Sequence, residues 1–156
     1  MRGKPDYQGQ IYYSIDIESW IPADHPLRGV KRRADEVLSS MRKDFDRAYS
    51  KHGRPSIPPE ILLKALLLQA LYSIRSERQL VEQIQMNLLY RWFVGLSADA
   101  AIWHHSTFTK NRERLEAVDL DVAFFEEVQR LAKRHGLLSD EHFTVDGSLL
   151  EAAASR

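Results

Sequence analysis

Apolar residues recur along most of the chain at intervals of three and four, the spacing that lays one side of a helix against a core. Leu27, Val30, Ala34, Val37, Leu38 and Met41 form the first such series, with charged residues between them. Pro26 suits a first helical position, and Asp24 or His25 can cap it. Ahead of it, residues 1–26 read as an irregular arm, with Tyr12–Ile15 extended and Asp16–Ile21 a helical turn stopped by Pro22. His52-Gly53-Arg54-Pro55-Ser56 punctuates the chain, and Pro58-Pro59 opens another helix. Ile61, Leu62, Leu63, Ala65, Leu66, Leu67, Leu68, Ala70 and Leu71 make that helix apolar almost all round, so it should lie buried at the centre of a helical domain.

Ser76 followed by Gln79 reads as a capping box for a helix carrying Leu80, Val81, Ile84 and Met86. Asn87 interrupts before Leu88–Val94, and Gly95 is a natural C-terminal stop. After a loop over Ser97–His104, Ser106 is the expected N-cap of a short helix reaching about Leu115. Asp119 or Asp121 starts a longer helix with Val122, Phe124, Phe125, Val128, Leu131 and Ala132. It should end at Gly136, with Lys133, Arg134 and His135 in the last turn, where cations suit the helix dipole. The pattern then changes. His142-Phe143-Thr144-Val145-Asp146 is a β-type run closed by Gly147, the one convincing strand, and a lone strand needs partners to be stable. The expected fold is therefore mainly α: a multi-helix domain over 1–138, and a C-terminal strand over 139–156 that begins something else.

Composition changes this picture little. Apolar residues at 44% and charged residues at 28% of 156 are a globular balance, enough for one ordinary core. The absence of cysteine excludes disulfides and thiolate metal sites. No apolar run follows the first residues as in a signal peptide, and Lys64 and Gln69 break the longest apolar stretch, so no membrane segment is expected. The net charge of zero argues against indiscriminate binding to nucleic acid. The distribution is less even, because Arg28 to Arg54 holds nine Lys/Arg against four acids. That segment suits either phosphate contact or a solvated helix face.

Three constellations could carry chemistry. Thr107, Lys110, Asn111 and Arg114 stand at i, i+3, i+4 and i+7, one polar stripe of residue types that bond base edges and phosphates. Phe108 and Leu115 lie opposite and could seat the helix, which would suit a recognition helix in the major groove or, equally, a surface helix of any bundle. His104-His105 is a poor metal pair, since adjacent residues do not share a helix face and no acidic ligand is near; a loop or capping role fits better. Trp92, Phe93 and Trp103 could stack on bases, though core positions suit them more. Last, Asp146 ends an apolar strand, where a carboxylate is costly unless paired or holding a cation. The same Asp146-Gly147 also reads as an ordinary turn.

The order and spacing of several segments add to this. Trp20-Ile21-Pro22-Ala23-Asp24-His25-Pro26-Leu27-Arg28, Gly53-Arg54-Pro55-Ser56-Ile57-Pro58-Pro59-Glu60, Tyr72-Ser73-Ile74-Arg75-Ser76-Glu77-Arg78-Gln79-Leu80, Phe93-Val94-Gly95-Leu96, His105-Ser106-Thr107-Phe108-Thr109 and Phe143-Thr144-Val145-Asp146-Gly147-Ser148 follow one another along nearly the whole chain. In this the chain resembles the N-terminal region of the IS5-like insertion-sequence transposases of bacteria. The resemblance implies a helix-turn-helix-like DNA-binding region followed by the start of an RNase H-like DDE domain, in which two Asp and one Glu bind Mg2+ or Mn2+. Asp146 matches the first catalytic and metal-binding Asp, and no later segment supplies the other two carboxylates. The chain alone is then expected to be a catalytically incomplete fragment that holds no metal stably.

The resemblance further implies double-stranded DNA, the element's ends, as partner. Thr107, Lys110, Asn111 and Arg114 would be base-contacting residues, and Arg28, Lys31, Arg32, Arg33 and Arg54 phosphate-contacting ones. A homodimer, a cytoplasmic, nucleoid-associated location, and no membrane or small-molecule partner complete the expectation. Rival expectations are a stand-alone helical DNA-binding regulator, a repressor that competes with the full transposase, and a helical protein-interaction module without DNA.

Overall fold

The computed structural model describes residues 16–49 and 56–136. The expected strand at His142–Asp146, the extended segment at Tyr12–Ile15, the boundary at 138/139, Arg54 and Asp146 lie outside the described residues. Eight helices make up the described part: α1 (Ile17–Trp20), α2 (Pro26–Ser40), α3 (Arg42–Ala48), α4 (Pro59–Leu71), α5 (Glu77–Met86), α6 (Leu88–Val94), α7 (His105–Glu116) and α8 (Leu120–Arg134). No strand occurs among the described residues, in line with a mainly helical domain.

α4 is the hub. Leu62, Leu63, Lys64, Ala65, Leu67 and Leu68 are all buried, and α5, α6, α7 and α8 pack around it. An apolar helix of this kind has no water-facing stripe to offer, so its neighbours must surround it. α2 lies across α8 through Leu27, Ala34, Val37 and Leu38, its period-matched face. α3 was not evident in the sequence pattern. It follows α2 after Met41 and anchors itself through one buried aromatic, Phe45. The short α1 rests on α6.

Local chemistry explains most boundaries. His25 caps α2, its Nδ1 accepting from the Leu27 N–H at 3.2 Å, with Pro26 in the first turn. The Ser76 hydroxyl accepts from the Gln79 N–H at 3.2 Å and opens α5. Asn87 closes α5 and opens α6, its side-chain oxygen accepting from the Leu89 and Tyr90 N–H groups. Gly95 ends α6 in the left-handed region at φ 91°, where a Cβ would also sit 3.4 Å from the Lys64 ammonium.

Candidate nucleic-acid interface

The helix proposed from the polar stripe is α7, and its N-cap stands two residues before the expected Ser106. His104, not Ser106, is its N-cap, with Nδ1 accepting from the Ser106 N–H at 3.3 Å. The ring of His104 lies 4.1 Å from that of His105, and of the two only His104 caps the helix. Among the described residues no group of three His, Cys, Asp or Glu could hold a metal ion.

α7 has three distinct sides. Phe108 and Leu115 are fully buried and seat it on the core, with Trp103 stacked on Phe108 at 6.2 Å between ring centres. Thr107, Lys110 and Arg114 are exposed on a second side. Neither Lys110 nor Arg114 is engaged in an ion pair among the described residues. Arg114 is close enough to Tyr49, at the end of α3, for its charge to offset part of the burial that pushes the tyrosine pKa up. On the third side Thr109 and Arg112 both bind Glu77 of α5, and Arg112 also pairs with Glu116.

Asn111 departs from the expected stripe. It is 5% exposed, and its amide nitrogen donates to the Thr107 carbonyl at 2.7 Å. Its place in the helical period lies between the core side and the exposed side, and a back-bond to the preceding turn engages the amide nitrogen while the side-chain oxygen stays buried without a partner among the described residues. Three of the four residues therefore share an exposed face, and the fourth belongs to the seat beneath it.

The basic residues of α2 divide similarly. Arg28 donates to the carbonyls of Pro22 at 2.9 Å and Ile21 at 2.8 Å, pairs with Glu18, and lies 5.4 Å over the Trp92 ring. Lys31 binds Asp35 at 2.6 Å and covers the same ring at 5.6 Å. Arg33 binds Glu36 at 2.9 Å. Arg32 alone of these four is exposed and outside any ion pair among the described residues. The first two cations thus hold α1, α2 and α6 together. Trp92 is the centre of that junction: it is 9% exposed, and its indole N–H donates to Glu18. This bond, with Arg28, holds the Glu18 carboxyl below its usual range. Phe93 is fully buried, so neither aromatic is a base-stacking platform.

The composition of the stripe pointed to α7, but nothing in sequence pointed to Glu77 as its partner, 32 residues from Thr109. Arg91 was missed too. It is buried and donates at 2.9 Å to the carbonyls of both Ser97 and Ala100, folding the loop that leads into α7.

Residues 15–114 match the family described as Transposase domain (DUF772), a stretch that runs from α1 through most of α7. The chain belongs to this transposase-domain family. No curated protein and no solved structure matches the chain. The family's matched stretch ends at Arg114, so it takes in the exposed stripe of α7 together with α4 and α5 behind it. No helix among the described residues is long and apolar enough to cross a membrane.

Proposed function

We propose that this transposase-domain chain recognises the terminal inverted repeats of an insertion element of the IS5-like type, with α7 as the helix that enters the major groove. The observation that carries this reading is the exposed face of Thr107, Lys110 and Arg114, two cations without an acidic partner among the described residues on a helix firmly seated behind. Side chains of these types read base edges and grip phosphates. α5 packed behind α7 supplies the support that a helix-turn-helix-like element needs. Arg32 and Arg54 remain the phosphate contacts of choice on this reading, whereas Arg28, Lys31 and Arg33 serve the fold and Asn111 serves the seat of α7. Homodimers would place two copies of α7 on paired sites, in a cytoplasmic, nucleoid-associated protein.

On the same reading Asp146 is the first carboxylate of a DDE set in an RNase H-like domain. A divalent Mg2+ or Mn2+ held by such a set assists in-line attack on a phosphodiester. No Asp or Glu of these residues is assigned to the other two places of that set, and the activity proposed for them is binding of element ends.

Fluorescence anisotropy with duplexes from the element's ends, a scrambled control and a salt series tests this. The expected result is tighter binding to the end duplex, with log K falling at a slope near −3.6 if about four phosphates are neutralised. Lys110→Ala/Arg114→Ala should abolish the preference. Equal binding to both duplexes, or none, overturns the reading in favour of a helical module for protein partners.

A further inference from the structure

Most ion pairs among the described residues stay within one helix; three join different elements, Arg28–Glu18, Lys64–Asp35 and Arg112–Glu77. The last is the one that involves α7. Glu77 stands in the first turn of α5, just after the capping Ser76, where a carboxylate also suits the helix dipole. One of its oxygens meets the guanidinium of Arg112 and the other the hydroxyl of Thr109. Thr109 and Arg112 are successive rungs on the side of α7 turned away from Thr107, Lys110 and Arg114. A carboxylate that touches two rungs, as an ion pair with Arg112 and a hydrogen-bond acceptor for Thr109, restrains rotation of the helix about its own axis more than a single contact would. A cleft of about 340 Å³ opens on that side between α4, α5, α7 and α8, and Leu66, Ala70 and Phe125 line it together with Glu77, Arg112 and Asp121.

We infer that Glu77 is a positioning residue for recognition: gripping Thr109 and Arg112 from behind, it sets the angle at which α7 presents Thr107, Lys110 and Arg114 to DNA. The inference rests on the reading of α7 as the recognition helix. It separates specific from non-specific binding. Phosphate attraction depends on charge and tolerates a loosely held helix, whereas base contacts need fixed geometry. Removing Glu77 also leaves the Arg112 cation less compensated, which favours binding to any duplex.

The test is the ratio of end-duplex to scrambled-duplex affinity for the whole chain and for Glu77→Ala, with thermal melting of both. Glu77→Ala should lower that ratio by about tenfold, the order carried by a lost base contact, while affinity for the scrambled duplex holds or rises. A merely structural role would weaken both duplexes together. Glu77→Asp, which keeps the charge but shortens the reach, carries the same test if Glu77→Ala melts before binding can be read, and should lower the ratio several-fold. A wild-type chain without end preference would overturn the reading of α7 itself. A wild-type chain that discriminates, beside a folded Glu77→Ala that discriminates equally, would overturn the role of Glu77 alone.

Discussion

Among the described residues Lys64 is the buried lysine, 7% exposed in the middle of α4, and its ammonium donates to Asp35 of α2 at 2.9 Å. Burial pushes the Lys64 pKa down, and the bond to Asp35 recovers only part of that. Burial alone would raise Asp35, but bonds from Lys31 and Lys64 outweigh it and hold the carboxyl below its usual range. The two partners are not equivalent. Asp35 keeps 42% of its side chain in contact with solvent and has Lys31 as a second partner; Lys64 has no such recourse. Asp35→Asn should therefore cost about 2 kcal/mol, less than a fully enclosed pair because one partner is half solvated. Lys64→Met should cost less than that, and the double variant should recover most of the loss. Urea unfolding of the three variants decides it; equal costs for the two single changes would show that Lys64 reaches water on its own. The pH dependence has a definite sign. Asp35, depressed in the folded state, contributes stability that is present above about pH 4 and lost as the pH falls through its folded value. Lys64, also depressed, makes stability rise with pH in the alkaline window between its folded value and that of the unfolded chain.

The helices show which signals survive translation from sequence. α2, α5 and α8 were legible because their buried apolar residues recur at helical spacing, and α4 because it is apolar almost all round. α3 was not, since a seven-residue helix with Phe45 as its one buried residue offers no period to detect. Met86, named with the apolar residues of α5, is 83% exposed because it lies about half a turn around the helix from Leu80, Val81 and Ile84. The seat of α7 was read from Phe108 and Leu115, but a polar stripe defined by spacing alone could not reveal that Asn111 turns inward. Likewise a histidine cap competes with the more usual Ser106, and only geometry chose His104. Asn87 is the sharpest boundary in the fold, one residue serving both helices. Asn87→Ala should lower stability by about 1 kcal/mol, the cost of a lost N-cap, with circular dichroism unchanged. A neutral effect on the denaturation midpoint would mean that contacts of Tyr90 and Trp92 with the core, not the cap, fix the start of α6.

At the scale of the whole molecule, a net charge of zero conceals a division of labour among cations. Arg28, Lys31 and Lys64 are spent on junctions between α1, α2, α4 and α6, while Lys110 and Arg114 face outward from α7 without acidic partners among the described residues. On the proposed reading such a protein would bind DNA through a small, focused surface, and its affinity should depend on α7 rather than on total charge. None of the residues in that surface is a metal ligand by arrangement, and the one candidate ligand, Asp146, lies 32 positions beyond Arg114 in the sequence. Recognition and metal chemistry should therefore separate cleanly in solution. End binding measured at constant ionic strength should be the same within about twofold in EDTA and in millimolar Mg2+, and Asp146→Asn should leave it unchanged, since phosphate and base contacts from α7 need no cation. A tenfold loss in EDTA or in Asp146→Asn would mean that metal-bound carboxylates take part in holding the DNA. In that event the exposed face of α7 would be only part of the interface, and the residues beyond α8 the other part.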